Sequence, residues 1–140
     1  LCGEVRVADI GIPAEILRDI EPEQFENGTA LWGRQLPFPS SASHKFTRGH
    51  ALVSGGRELT GAARLAGYAA LRAGAGLVSI ASHPDTLGVY RAGRPSIMVR
   101  EVADATAFGF VLHDTRIRSI LIGPGNGVTE DTRERVLLGL

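Results

Sequence analysis

With a single cysteine, Cys2, in 140 residues, the chain can form no internal disulfide framework. That fits a reducing compartment and excludes a small, disulfide-stapled scaffold. No apolar run approaches the ~20 residues of a membrane span, and no signal peptide is recognisable, so a cytoplasmic protein without a membrane partner is expected. Neither sign of charge is in excess: 15 Lys and Arg face 15 Asp and Glu, which removes the electrostatic case for nucleic acid or an anionic bilayer. Methionine occurs once, as Met98, so the chain does not open on an initiator. At the other end, residues 129–140 read as a helix that stops on Leu137-Leu138-Gly139-Leu140 with no polar closing sequence. The sequence therefore reads as a piece of a longer protein, whose activity needs residues outside it.

What is present is ordinary globular composition, 44% hydrophobic and 21% charged, of a length that suits about one domain. Residues 4–12 alternate apolar and polar as a half-buried strand does. Pro13 then opens a short helix over 14–19, with Ile16, Leu17 and Ile20 on its apolar side. Residues 21–43 carry Pro22, Pro37, Pro39 and Ser40-Ser-Ala-Ser43, which is linker chemistry and the best candidate boundary. From His44 onward strand and helix alternate. Residues 51–54 form a short apolar strand ended by Gly55-Gly56, and Thr60 is placed to cap the next helix through its hydroxyl. That helix presents Ala62, Ala66, Ala69 and Ala73 beside Ala63, Gly67, Ala70 and Gly74, with Arg64, Tyr68 and Arg72 outward. Small residues let it lie close to a sheet, and Gly74 and Gly76 stop it. Strands are expected at 77–82, 96–101 (an edge) and 119–122 (buried). Between them come a short helix at 86–91 and another at 103–113 with Phe108, Val111 and Leu112 inward. Thr129 caps a last helix in which Asp131 and Arg135 stand at pairing distance. The alternation implies a mainly parallel sheet with right-handed crossovers.

Two strand-to-helix turns are rich in glycine: Gly55-Gly56 up to Thr60, and Gly123-Pro-Gly-Asn-Gly127 up to Thr129. In an open parallel sheet, ligands bind beyond the carboxyl ends of the strands, where both turns lie. Glycine lets backbone approach a ligand, and helix N-termini offer free N–H groups. The same glycines serve equally to make tight turns. Neither turn is a standard nucleotide motif. Gly56 and Gly61 have the P-loop spacing, but Ala62-Ala63 stands where Lys and Ser/Thr are needed. The second loop has the wrong last interval for a dinucleotide fingerprint. His44, Lys45 and His50 cluster before the first strand without further donors to make a metal site. His83 and His113 read as loop or helix-end residues, Asp85, Asp104 and Asp114 as turn or capping residues. Cys2 has no visible base, and no catalytic acid or base declares itself.

The ordered segments His44-Lys45-Phe-Thr-Arg-Gly49-His50, Thr60-Gly-Ala-Ala-Arg-Leu-Ala66, Ala70-Leu-Arg-Ala-Gly-Ala-Gly-Leu-Val78 and Ile122-Gly-Pro-Gly-Asn-Gly127 together resemble the ADP/ATP-dependent NAD(P)H-hydrate dehydratases. The stretch ending Asp9-Ile-Gly-Ile-Pro13 resembles the tail of the NAD(P)H-hydrate epimerase domain that precedes the dehydratase in bifunctional repair proteins. The resemblance implies a ribokinase-like α/β fold, a mainly parallel sheet flanked by helices. It divides the chain into an epimerase-like tail at 1–13, a short helix and linker at 14–43, and the first part of a dehydratase-like domain at 44–140. The implied activity is nicotinamide-nucleotide repair: hydrated NADH or NADPH is the substrate and is dehydrated at the expense of ADP or ATP, with Mg2+. The parent chain would also epimerise the hydrate, and a homo-oligomer is compatible with this. By position, Ala62, Ala63, Gly125 and Gly127 match residues that touch the hydrated nucleotide, with Gly55, Gly56, Thr60 and Asn126 beside them. Arg57-Glu58-Leu59 departs from the family pattern, Asn126 replaces a common leucine, and the family's catalytic aspartate and nucleotide-binding turn would lie beyond Leu140. The alternatives are a small-molecule kinase of the same fold, acting on a sugar or vitamin precursor, and a catalytically inactive fragment.

Overall fold

The computed structural model describes every residue except Leu1, Cys2, Val5, Pro37 and Pro124. The readings of Cys2 and of the prolines at 37 and 124 therefore lie outside the described residues. The chain divides into two units, Leu1–Phe38 and Pro39–Leu140.

In the first unit, α1 (Ala14–Ile20) follows Pro13, and α2 (Thr29–Trp32) runs into a 3-10 turn at Gly33–Gln35. Trp32 Nε1 donates to Asn27 Oδ1 at 2.9 Å, a local bond that fixes α2 where no apolar period announced a helix. None of these elements buries a side chain. The strand expected over 4–12 is absent among its described residues. A strand needs a neighbour for its N–H and C=O groups, and all four strands of the sheet belong to the second unit. What forms instead is a tight turn, with Gly11 N–H donating to Asp9 Oδ1 at 2.8 Å.

The second unit is built on a parallel sheet of β1 (His50–Ser54), β2 (Leu77–Ser82), β3 (Met98–Glu101) and β4 (Ile117–Leu121), in the order β3-β2-β1-β4. β1 is central, buried along its length, and pairs with both β2 and β4. Its alternate residues feed two cores, as the period of two requires. Ala51 and Val53 join Val78 and Ile80 of β2 against Ala63 of α3 (Gly61–Ala73) and Tyr90 of α4 (Leu87–Arg91). On the opposite face, Leu52 and Ala81 meet Val102 and Phe108, the latter from α5 (Ala105–Leu112). α6 (Glu130–Gly139) packs beside α5. The small stripe of α3 does what its size allows, since Ala63 and Gly67 are buried while Arg64 and Arg72 stay outside. Among the described residues no helix is long and apolar enough to cross a membrane.

Three expectations change. Thr60 occupies the N-cap position of α3, but its backbone is already helical (φ −78°, ψ −19°) and its hydroxyl caps no amide. A capping hydroxyl reaches the first turn from an extended backbone. β4, expected to be buried, has only Ile117 part-buried, because it is the edge strand with β1 as its single neighbour. His50 lies within β1 rather than before it, and is 2% exposed.

Candidate functional site

The strand order contains a reversal. The chain moves outward from β1 through β2 to β3, then returns to lay β4 on the other side of β1. Such a switch point opens a crevice beyond the carboxyl ends of the two diverging strands, the usual ligand site of an open parallel sheet. The two glycine loops, one after β1 and one after β4, face each other there.

A cleft of about 880 Å³ occupies this place, within the range of small-molecule sites. Its walls include Gly55, Arg57, Glu58 and Leu59 from the first loop, and Gly125, Asn126 and Gly127 from the second. His83, Asp85 and Thr86 contribute from the end of β2, Thr129, Asp131 and Arg135 from α6. The loops touch through bare backbone. A Cβ on Gly56 would overlap the carbonyl of Gly125, and one on Gly125 (φ +94°) would overlap the carbonyl of Leu59. Only glycine at both positions allows this approach.

Polar side chains hold the loops from behind. Tyr90, 3% exposed, donates its hydroxyl to the Gly56 carbonyl at 2.8 Å. Burial raises its pKa, which keeps the phenol protonated and able to donate. Ser54, the last residue of β1, donates to Asn126 Oδ1 at 2.6 Å and accepts from Arg135 Nη1 at 3.2 Å. Asn126 Nδ2 donates to the carbonyls of Ser54 and Gly123, each at 3.1 Å. Arg135 Nε lies 2.8 Å from Asp131 Oδ2, close enough for an ion pair though not aligned for a hydrogen bond. The pairing anticipated between Asp131 and Arg135 is thus formed, with the arginine buried. Thr129 caps α6 as its sequence position suggests, accepting from Thr132 N–H at 3.2 Å. At the rim, Arg57 pairs with Asp85, whose own N–H donates to His83 Nδ1 at 3.3 Å.

Of the residues the resemblance assigns to the hydrated nucleotide, Gly125 and Gly127 line the cleft, as do Gly55 and Asn126. Gly56 forms the contact between the loops, and Thr60 precedes α3 with no cap. Ala63 packs in the core at 2% exposure and Ala62 is half-buried beside it; neither lines the cleft. His44 and Lys45 form a local turn, with His44 Nδ1 accepting from Thr47 N–H at 3.3 Å. Ser54, Tyr90 and Arg135 were not singled out from sequence as parts of the site. Their partners lie far along the chain (72 residues separate Ser54 from Asn126), so no local spacing marks them.

The cleft provides close-approach backbone on one side and hydrogen-bonding, charged groups at its rim, where Glu58, Asp85, Asp104 and Asp131 stand beside the paired Arg57 and Arg135. The phosphoryl donor is another matter. Neither loop carries the Lys-Ser/Thr pair of a P-loop, and among the described residues no group of three or more His, Cys, Asp or Glu could share a metal ion. These residues thus supply neither a P-loop cradle nor an all-protein metal cage.

A doubly wound parallel sheet with glycine loops meeting at its switch point is a general α/β ligand-binding layout, and structural overlays narrow it to the ribokinase-like class. The chain overlays a ribokinase-like superfamily protein from Enterococcus faecalis with a TM-score of 0.62 at 27% identity, over 74% of this chain and 36% of that one. The ADP/ATP-dependent NAD(P)H-hydrate dehydratase of Bacillus subtilis, co-crystallised with ATP and Mg2+, overlays with a TM-score of 0.58 at 30% identity. That likeness covers 72% of this chain and 36% of the other. In sequence, the chain is 35% identical to the bifunctional NAD(P)H-hydrate repair enzyme Nnr of Dictyoglomus turgidum, over 96% of the chain and 28% of the relative. A family model of the NAD(P)H-hydrate dehydratases matches residues 50–138. The chain belongs to the NAD(P)H-hydrate dehydratase family. It spans little more than a quarter of the curated relatives it matches over most of its length.

Proposed function

We propose that this chain forms the substrate-side wall of a nicotinamide-nucleotide repair enzyme, a hydro-lyase that returns hydrated NADH or NADPH to the working cofactor at the expense of ADP or ATP. The observation that carries the reading is the cleft at the β1/β4 switch point, which lies inside the matched family segment 50–138. Gly125 and Gly127 are the proposed contacts to the hydrated nicotinamide nucleotide, since a ring and its ribose can lie close to bare backbone there. Ala62 and Ala63, carried over by position as further contacts to that nucleotide, stand at the start of α3 outside the cleft lining, Ala63 within the core. The nucleotide with its Mg2+, and the catalytic carboxylate, would be held by residues outside this chain. Residues 1–13 are proposed as the tail of an epimerase-like domain and 14–43 as a connector, a reading supported by the bifunctional relative that covers 96% of the chain.

The test uses the longer protein that carries this chain. Incubated with hydrated NADH and ADP or ATP, it is expected to restore the absorbance of the reduced nicotinamide. No recovery would overturn the repair reading, and a stable phosphorylated product when a sugar or vitamin precursor is supplied with ATP would assign a small-molecule kinase of the same fold instead. The 140 residues alone are expected to give no turnover, and measurable turnover would contradict the division of labour proposed here.

A further inference from the structure

We propose that Asn126 is a positioning residue: it clips the second glycine loop to the end of β1, sets the width of the cleft and does not itself bind the substrate. Its hydrogen-bonding groups are accounted for. Both Nδ2 protons go to main-chain carbonyls, of Ser54 and of Gly123, and Oδ1 takes the Ser54 hydroxyl proton. The two carbonyls fix which way the amide faces, because only its NH2 end can answer them. The backbone of the same residue is tied as well: its N–H donates to the Gly123 carbonyl at 3.1 Å, and its carbonyl accepts from Thr132 Oγ1 at 3.0 Å. One residue thus joins β1, the loop and α6.

Ser54 is 1% exposed and Arg135 5%, so that end of the polar chain is shut away from water, while Asn126 is part-buried where it meets the cleft. Removing one member leaves buried groups unanswered. A leucine at 126 would fill the space but leave the Ser54 hydroxyl proton without its acceptor and the Ser54 carbonyl without the side-chain donor. The asparagine therefore belongs with the buried serine and arginine of this chain, and the three act as a unit.

This inference rests on the repair reading for its kinetic readout, and the test separates the two. Asn126→Asp puts an oxygen where Nδ2 meets two carbonyls, so the charged form is repelled while the protonated form can donate to one of them. The two carbonyls and part-burial raise the pKa of the introduced carboxyl, and the buried Arg135 guanidinium, which reaches Ser54 Oγ beside it, opposes part of that rise. In the longer protein, N126D is expected to raise KM for hydrated NADH by about tenfold near pH 8, the scale of one lost buried hydrogen bond, with a smaller effect on kcat. The KM should move back toward the wild-type value as the pH is lowered. An unchanged KM, or an increase that no acidification relieves, would overturn the positioning role. Should the wild-type protein not dehydrate the hydrate at all, amide exchange decides the clip independently. N126D and S54A are expected to speed exchange at residues 123–129 at pH 8, with N126D slowing again on acidification relative to S54A. Equal exchange in all three proteins would overturn the clip.

Discussion

At the scale of single residues, the site depends on what two glycines omit. A methyl group on Gly56 has nowhere to go but the Gly125 carbonyl, so Gly56→Ala must part the loops. Overpacking of this kind costs about 1–3 kcal/mol, and we expect a loss of that size in chemical denaturation together with at least about a tenfold fall in kcat/KM for the hydrate. Unchanged stability would contradict the loop-to-loop contact. Two other residues set the response to acid. Burial, reinforced by nearby Arg100, depresses the pKa of His50 below 6.5, so the folded state keeps it neutral. Its Nε2 shares a 2.8 Å bond with Ser79 Oγ, while Nδ1 has no partner to receive a proton's charge. Below 6.5 the unfolded chain takes up a proton that the folded chain resists, so stability falls as the pH drops through that value. Asp114 has the opposite chemistry and the same outcome. Hydrogen bonds from Arg116, with a further one from Arg100, hold its carboxylate well below the usual 3.8, so the stability it contributes is present above 3.8 and lost as the pH falls below it. The thermal midpoint should therefore decline in two stages on acidification. His50→Gln should remove the first stage alone, and a midpoint with no first stage in the wild type would contradict the burial of a neutral histidine.

Residues of this kind were legible only where their chemistry is local. Thr129, Asp104 and the Asp131–Arg135 pair find their partners within four positions, so spacing alone placed them. Ser54, Asn126 and Arg135 meet across 72 and 81 residues, through a sheet order that no short pattern encodes. Asn126 was noticed as unusual, but its side chain is committed inward.

At the scale of elements, β1, α3 and β2 follow closely from the sequence because three signals agree there: apolar strands, a small-residue helix and a glycine stop. Gly74 at φ 113° closes α3 as expected. The period of two failed at 4–12, where alternation was present without a neighbouring strand to pair with. β4 shows the converse, an apolar run whose burial depends on a second neighbour rather than on its own composition. The mechanical claims can be measured. Phe108 is fully buried on the α5 face, and Phe108→Ala is expected to cost about 3–5 kcal/mol. Thr129→Ala removes the cap of α6 together with the hydroxyl contact to Thr132, for about 1 kcal/mol. Because α6 also carries Arg135 and the Thr132 bond to the second loop, the cap variant should loosen residues 123–129 more than its small stability cost suggests. Equal amide exchange there in variant and wild type would refute that link.

At the scale of the molecule, the reversal between β1 and β4 turns two ordinary tight turns into the facing walls of one cleft. The fold class was readable from strand–helix alternation, while the strand order, and hence the meeting of the loops, belongs to the three-dimensional structure. Two other grooves offer themselves for comparison, one between α5 and α6 lined by Phe110 and Leu138, the other beside Arg64, Tyr68 and Arg94. We propose that the hydrated dinucleotide sits in the first cleft and in neither of these. Hydrogen exchange in the longer protein, with and without hydrated NADH, tests it directly. Slowed exchange is expected, confined to residues 55–60 and 123–129 and to the first turn of α6. Protection along α5 or around Arg94 with none in the two glycine loops would contradict it.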